Sequence, residues 1–286
     1  MNIWRIDLSS SNGSKATARR NLPTRLIAST KYDSQPQFSP DGKKIAFVSD
    51  RSGNAEIWVC GSDGSHSSQI TEISGPYVGS PRWSPDGQLL AFDSVKAGTW
   101  DLYVVGVEGG LPLRLTGESS ADVRPSWSHD GRWIYFGSNR SGDWQVWKLP
   151  ASGGSAVRLT QHGGFEAIES PDGRLVYFTK PYPAQGIWSI SPSGGEERPV
   201  LEKGMECFWD VADPGIFLLT QHGREGPAIE FFSFLTAELK IVGSLAEDTR
   251  LNPQLPSFTM SRDGRSLAYV QEDQTEGDLI LVENFR

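Results

Sequence analysis

The side chains able to do chemistry are few and dispersed in this 286-residue chain. It has four histidines, His66, His129, His162 and His222, and two cysteines, Cys60 and Cys207. A catalytic metal asks for about three converging protein ligands, and none of these histidines shares a local motif with another. A serine nucleophile of the elbow type asks for G-x-S-x-G, which is absent. There is no P-loop or dinucleotide fingerprint, and Gly61-Ser62-Asp63-Gly64 reads as a turn. The cysteines stand far apart and read as two buried free thiols, not a disulfide framework. Ser49-Asp50-Arg51-Ser52-Gly53 concentrates charge, but its Asp and Arg suit local hydrogen bonds of a turn. No catalytic residue, metal or cofactor is assigned on these grounds.

The elements around those residues repeat. PQFSPDG at Pro36 returns as PRWSPDG at Pro81, PSWSHDG at Pro125, AIESPDG at Ala167, WDVADPG at Trp209 and FTMSRDG at Phe258. The turn glycines, Gly42, Gly87, Gly131, Gly173, Gly215 and Gly264, are 42 to 49 residues apart. A fixed period of that size marks a repeat architecture. One carboxylate per Asp-Gly turn falls short of the 6–8 oxygens calcium prefers, so these aspartates read as structural.

Each unit reads as four strands, A to D. Strand A precedes the turn and carries Phe38, Trp83 and Trp127 at one position. Strand B follows it as a short apolar run, such as Ile45-Ala46-Phe47-Val48 or Leu175-Val176-Tyr177-Phe178, suited to a strand covered on both faces. Asp-Gly between two such runs is a hairpin signal. Strand C carries Trp58, Tyr103, Trp147, Trp188, Phe232 and Ile280, and strand D is shorter and more polar, as at Leu113-Arg114-Leu115-Thr116. No long segment has helical periodicity. The predicted fold is all-β: a β-propeller of four-stranded antiparallel blades, a single domain over residues 1–286. Six blades are favoured and seven is the alternative. Residues 1–29 are expected to close the last blade, 255–286, with Thr24 to Ala28 as its strand D. On that count Ile3-Trp4-Arg5-Ile6, which has the strand C pattern, is surplus.

On a propeller the A–B and C–D connections share one face, and the B–C and D–A connections share the other. His66 and His129 fall on the first, His162 and His222 on the second, so at most two converge. Scaffold positions repeat between blades, and positions that vary are where specificity can reside. The residues entering strand A vary: Asp33 and Gln35, then Asp122 and Arg124, Phe165 and Glu166, and Glu206 and Phe208. Arg51 and Arg140, on B–C connections, share their face. This mixture of carboxylate, guanidinium and aromatic groups suits a protein, peptide or small polar ligand at the mouth of the central channel. Trp100, Trp144 and Trp209 lie outside the repeated aromatic positions and are further candidates for contact.

Bulk properties limit the partners. Lys plus Arg total 27 against 35 Asp plus Glu, a net charge of -8, with no basic run. That disfavours direct binding to nucleic acid or to an anionic membrane surface. No stretch approaches the roughly 20 apolar residues of a spanning helix, and the start, MNIWRIDLSSSNG, lacks the pattern of a signal peptide. A cytoplasmic location is expected, or a periplasmic one as part of a longer chain.

The S-P-D-G turn, followed by strand B, S-D-R-S-G-N and I-W, resembles the TolB-like, WD40-like (PD40) propeller repeat over nearly the whole chain. Blades one to three fit best. The fourth has Glu169 in place of the aromatic, and the fifth has Ala212-Asp213-Pro214-Gly215 as its turn. NIWRIDL, EIWVC, GGFEAIESPDG and LILVENFR further resemble the C-terminal propeller of bacterial winged-helix transcriptional regulators, and neither a winged helix nor a kinase is present here. That resemblance implies a non-enzymatic sensing or interaction module. Metal-dependent carbohydrate lyases also occur on similar propellers, so a lyase is the alternative from another class, and a structural spacer is a third.

Overall fold

The computed structural model describes residues 1–8, 22–181, 186–204, 206–221, 226–251 and 258–272. Its 24 strands form six four-stranded antiparallel sheets, and the described residues contain no helix. Blade 1 comprises Asp33–Phe38, Lys44–Ser49, Glu56–Gly61 and Ser68–Gln69 as strands A to D. Blade 2 comprises Val78–Trp83, Leu89–Ser94, Asp101–Gly106 and Leu113–Arg114. Blade 3 is Asp122–Trp127, Trp133–Ser141, Asp143–Pro150 and Val157–Arg158; blade 4 is Phe165–Glu169, Val176–Thr179, Ile187–Ile190 and Arg198–Leu201. Blade 5 is Trp209–Ala212, Gly215–Gln221, Pro227–Ser233 and Leu239–Ser244.

Blade 6 joins the two ends of the chain. Phe258–Met260 and Ser266–Gln271 are its strands A and B, Asn2–Asp7 its strand C and Thr24–Ile27 its strand D. Ile3 lies opposite Val270 and Trp4 opposite Tyr269, as Ile57 lies opposite Val48 and Trp58 opposite Phe47. The expectation that left Ile3–Ile6 surplus is therefore corrected: this segment is the third strand of blade 6, and Thr24–Ile27 follows it as the fourth. The segments around Ile3 and Ile280 both have the strand C spacing, and only pairing distinguishes them; the segment around Ile280 lies outside the described residues. Strands A of neighbouring blades touch all the way round, blade 6 back to blade 1 included, so six blades close the ring.

The Ser-x-Asp-Gly turn explains why each hairpin forms where it does. Ser39 Oγ donates to Asp41 Oδ1 at 2.6 Å, and the same oxygen accepts Lys43 N–H at 3.1 Å. Ser39 Oγ in turn accepts Lys44 N–H at 2.9 Å. Gly42 supplies the left-handed residue at φ +69°. The Ser–Asp bond recurs at Ser84–Asp86, Ser128–Asp130, Ser170–Asp172 and Ser261–Asp263. Blade 5 lacks the serine and turns instead through Asp213-Pro214, with Ala212 paired to Gly215. A Cβ on Gly215 would meet Phe232 O at 1.9 Å, so that close approach requires glycine.

The apolar core lies between blades. Ile57 and Val59 of blade 1 pack with Trp83, Phe92 and Tyr103 of blade 2. Ile3 and Ile27 pack with Phe38 and Phe47, which seals blade 6 to blade 1. The strand A tryptophans also tie blades by hydrogen bonds: Trp83 Nε1 donates to Gln37 O at 3.1 Å and Trp127 Nε1 to Arg82 O at 3.0 Å. Glu169 replaces this aromatic in blade 4 with polar ties to blade 3, accepting Tyr135 OH at 2.6 Å and His129 N–H. No helix among the described residues is long and apolar enough to cross a membrane.

Candidate functional site

The channel is built from a defect repeated in strand A. In blades 1 to 3 the register slips midway along the strand, between Ser34 and Gln37, Gly79 and Arg82, and Val123 and Ser126. The residue before each proline is left-handed: Gln35 at φ 52°, Ser80 at 51° and Arg124 at 57°. Glu166 (24°) and Cys207 (72°) do the same in blades 4 and 5. Such backbones cost on the order of 1–3 kcal/mol each in non-glycine residues and persist where the surroundings over-determine them.

Here the surroundings are a polar network across the axis. Gln35 Oε1 accepts Ser80 N–H at 2.6 Å, and Gln35 Nε2 donates to Tyr77 OH at 2.9 Å. Arg124 N–H donates to Asp93 Oδ2 at 2.8 Å, while its guanidinium reaches Cys207 Sγ at 3.3 Å. Glu166 Oε2 accepts Cys207 N–H at 2.8 Å and Trp209 Nε1–H at 2.9 Å. Burial pushes the Cys207 thiol up to about 12, so it is no nucleophile at neutral pH. Burial likewise raises Asp93, and burial with the neighbouring Glu166 raises Glu206. For Arg124 burial works against the charge, but the titratable neighbours Cys207, Glu166 and Asp93 outweigh it and push its pKa up.

On the face carrying the D–A and B–C connections, this network floors a groove of about 370 Å3 across blades 2, 3 and 4. Its walls are two edge-to-face pairs, Tyr77 with Trp100 at 4.7 Å and Trp144 with Phe165 at 5.0 Å. All four rings are half-buried. The opposite mouth, ringed by the A–B turns, opens into a cavity of about 200 Å3 lined by Gln37, Arg82, Ser126, Ile168 and Asp210 among others.

The residues singled out from the sequence separate into two groups. Gln35, Arg124, Phe165, Glu166 and Glu206 meet at the channel or its groove. Asp33 and Asp122 are fully buried and engage the B–C arginines of their own blades, Arg51 at 2.7 Å and Arg140 at 2.8 Å. Each arginine also lies over two rings, Phe47 and Trp58 for Arg51, and Phe136 and Trp147 for Arg140. These are clamps that fix the B–C connection. Phe208 packs into the core between blades 5 and 6. His66, His129 and His162 are exposed, and His222 lies outside the described residues. No group of three or more His, Cys, Asp or Glu placed to hold a metal occurs among the described residues.

Tyr77, Ser80 and Asp93 were missed by sequence reasoning. Asp93 had a signal: it follows Phe92 on strand B where Val48 follows Phe47 and Val270 follows Tyr269. A carboxylate at an otherwise apolar repeat position is the internal variation that marks specificity.

Comparison with known proteins agrees with this fold. Residues 72–206 match the family model described as TolB beta propeller domain. The fold is that of a TolB-like propeller. TolB from Acinetobacter baumannii superimposes with a TM-score of 0.64 at 19% identity, covering 96% of this chain and 64% of that one. A 40-residue stretch is 48% identical to the Tol-Pal system protein TolB of Bordetella pertussis, 14% of this chain and 9% of that protein. This chain thus spans less than two thirds of either TolB. An oligogalacturonate lyase from Vibrio parahaemolyticus shares the fold at TM-score 0.60 and 17% identity, over 91% of this chain and 77% of that one.

Proposed function

We propose that this propeller is a non-enzymatic binding module, and that it takes an extended segment of a protein partner in the groove across blades 2 to 4. The observation that carries this reading is the pair of aromatic walls, contributed by four loop or strand-end positions of blades 2 to 4, over a floor of Arg124 and Asp93. Half-buried aromatic rings on a rigid scaffold supply contact area at little ordering cost, which is the composition of binding hot spots. Attached to a DNA-binding domain, such a module would bias that domain by differential binding, as the resemblance of NIWRIDL and GGFEAIESPDG to regulator propellers suggests.

Selection from a random peptide library tests it. Peptides enriched on the wild-type chain should lose roughly tenfold or more in affinity on Trp144→Ala or Trp100→Ala, consistent with a 1.4 kcal/mol hot-spot contribution. They should bind Arg262→Ala, at the opposite mouth, unchanged. Peptides sensitive to Arg262→Ala and indifferent to both tryptophans would refute the reading.

A further inference from the structure

Resting on the reading that a partner segment occupies this groove, we propose that the groove is a lysine pocket: it receives the ammonium group of a lysine side chain between the aromatic pairs. Asp93 is 2% exposed and lines the groove, yet its Oδ1 forms no hydrogen bond of ordinary geometry among the described residues, although the Ser80 hydroxyl beside the carboxyl favours its charged form. A buried carboxylate oxygen without a donor is costly, and a ligand N–H removes that cost. The walls around it are four aromatic rings, whose negative π-faces attract a desolvated cation.

The balance of charge points the same way. Among the described residues, Asp93, Glu166, Glu206 and Asp210 share the channel with two guanidiniums, Arg82 and Arg124. Arg124 already donates to Cys207 Sγ and lies in the field of Glu166 and Asp93. The whole chain carries -8, which attracts a cationic segment to the mouth. Lysine fits better than arginine because only one Asp93 oxygen is open; the other accepts Arg124 N–H. A guanidinium fork needs two acceptors side by side, whereas an ammonium is satisfied by one carboxylate oxygen and ring faces.

The test titrates the whole chain with Nα-acetyl-lysine methylamide, Nα-acetyl-norleucine methylamide and Nα-acetyl-glutamate methylamide, read by ligand-observed NMR. The lysine compound should bind roughly fivefold or more tightly than the norleucine one, within the range of a cation over desolvated rings. Asp93→Asn should remove that difference, and Trp144→Ala should weaken the lysine compound severalfold. Because Asp93 is buried, Asn there can disturb folding; Trp144 is half-buried at the start of strand C of blade 3, so its variant keeps the test decisive. Equal binding of lysine and norleucine, or preference for glutamate, would overturn the lysine pocket. If library peptides still depended on Trp100 and Trp144 in that case, the broader binding reading would stand without it.

Discussion

Removing one partner of the Asp122–Arg140 clamp should unfold the protein more readily without touching binding, and the two partners should not be equivalent. Asp122 has no exposed side-chain surface, whereas the Arg140 side chain keeps 17% of its own. Arg140→Met therefore strands a carboxylate in the interior, with only a long 3.4 Å contact from Ser120 Oγ. Breaking a buried pair in that direction costs about 3–5 kcal/mol. Asp122→Asn leaves a guanidinium that can turn toward water and still lies over Phe136 and Trp147, so its cost should fall to roughly 1–2 kcal/mol, nearer the loss of a charged hydrogen bond. The double variant should recover part of the Arg140→Met loss, giving a coupling energy of about 1–3 kcal/mol. Urea unfolding of the four proteins measures this directly. Equal small losses below about 0.5 kcal/mol, together with weakened peptide binding, would refute the clamp and return both residues to the ligand.

Trp83→Phe keeps an aromatic ring between blades 1 and 2 but removes the Nε1–H bond to Gln37 O; stability should drop by about 1 kcal/mol, a fall of roughly 2–4 °C in Tm by calorimetry. No loss would mean that the ring alone holds the blades. The Ser128 hydroxyl and Arg132 N–H hold Asp130 down at about 2, below the usual carboxylate value near 4. A carboxyl depressed on folding contributes stability above its unfolded value and loses it as pH falls through its folded one. The stability gap between wild type and Asp130→Ala should accordingly be full at neutral pH and narrow between about pH 4 and 2. A gap that stays constant or widens on acidification would contradict the turn circuit.

Much of the architecture was legible because its cause is local. A Ser-x-Asp-Gly turn between two apolar runs dictates a hairpin whatever surrounds it, and five of the six turns carry that circuit. The allocation of Ile3–Ile6 was not legible, because its apolar and aromatic spacing matches any strand C and the choice of neighbour is settled only by Val270 and Tyr269 across the ring. Asp33 and Asp122 vary between blades and lie at the channel mouth in sequence terms, yet an arginine 18 residues onward absorbs each charge. Arg124 and Phe165 line the groove. Their companions Tyr77 and Asp93 come from a different connection and a different strand, a juxtaposition made by the ring and invisible in linear spacing.

The measurement that tests the central claim most directly is the indole 15N spectrum of the protein with and without a library-selected peptide. Trp100 and Trp144 wall the groove, while Trp83 and Trp127 line the opposite mouth, so each mouth carries its own reporters. Saturable shifts at Trp100 and Trp144, with Trp83 and Trp127 unmoved, are the predicted result. Shifts confined to Trp83 and Trp127 would place the partner on the face of the A–B turns and contradict the account.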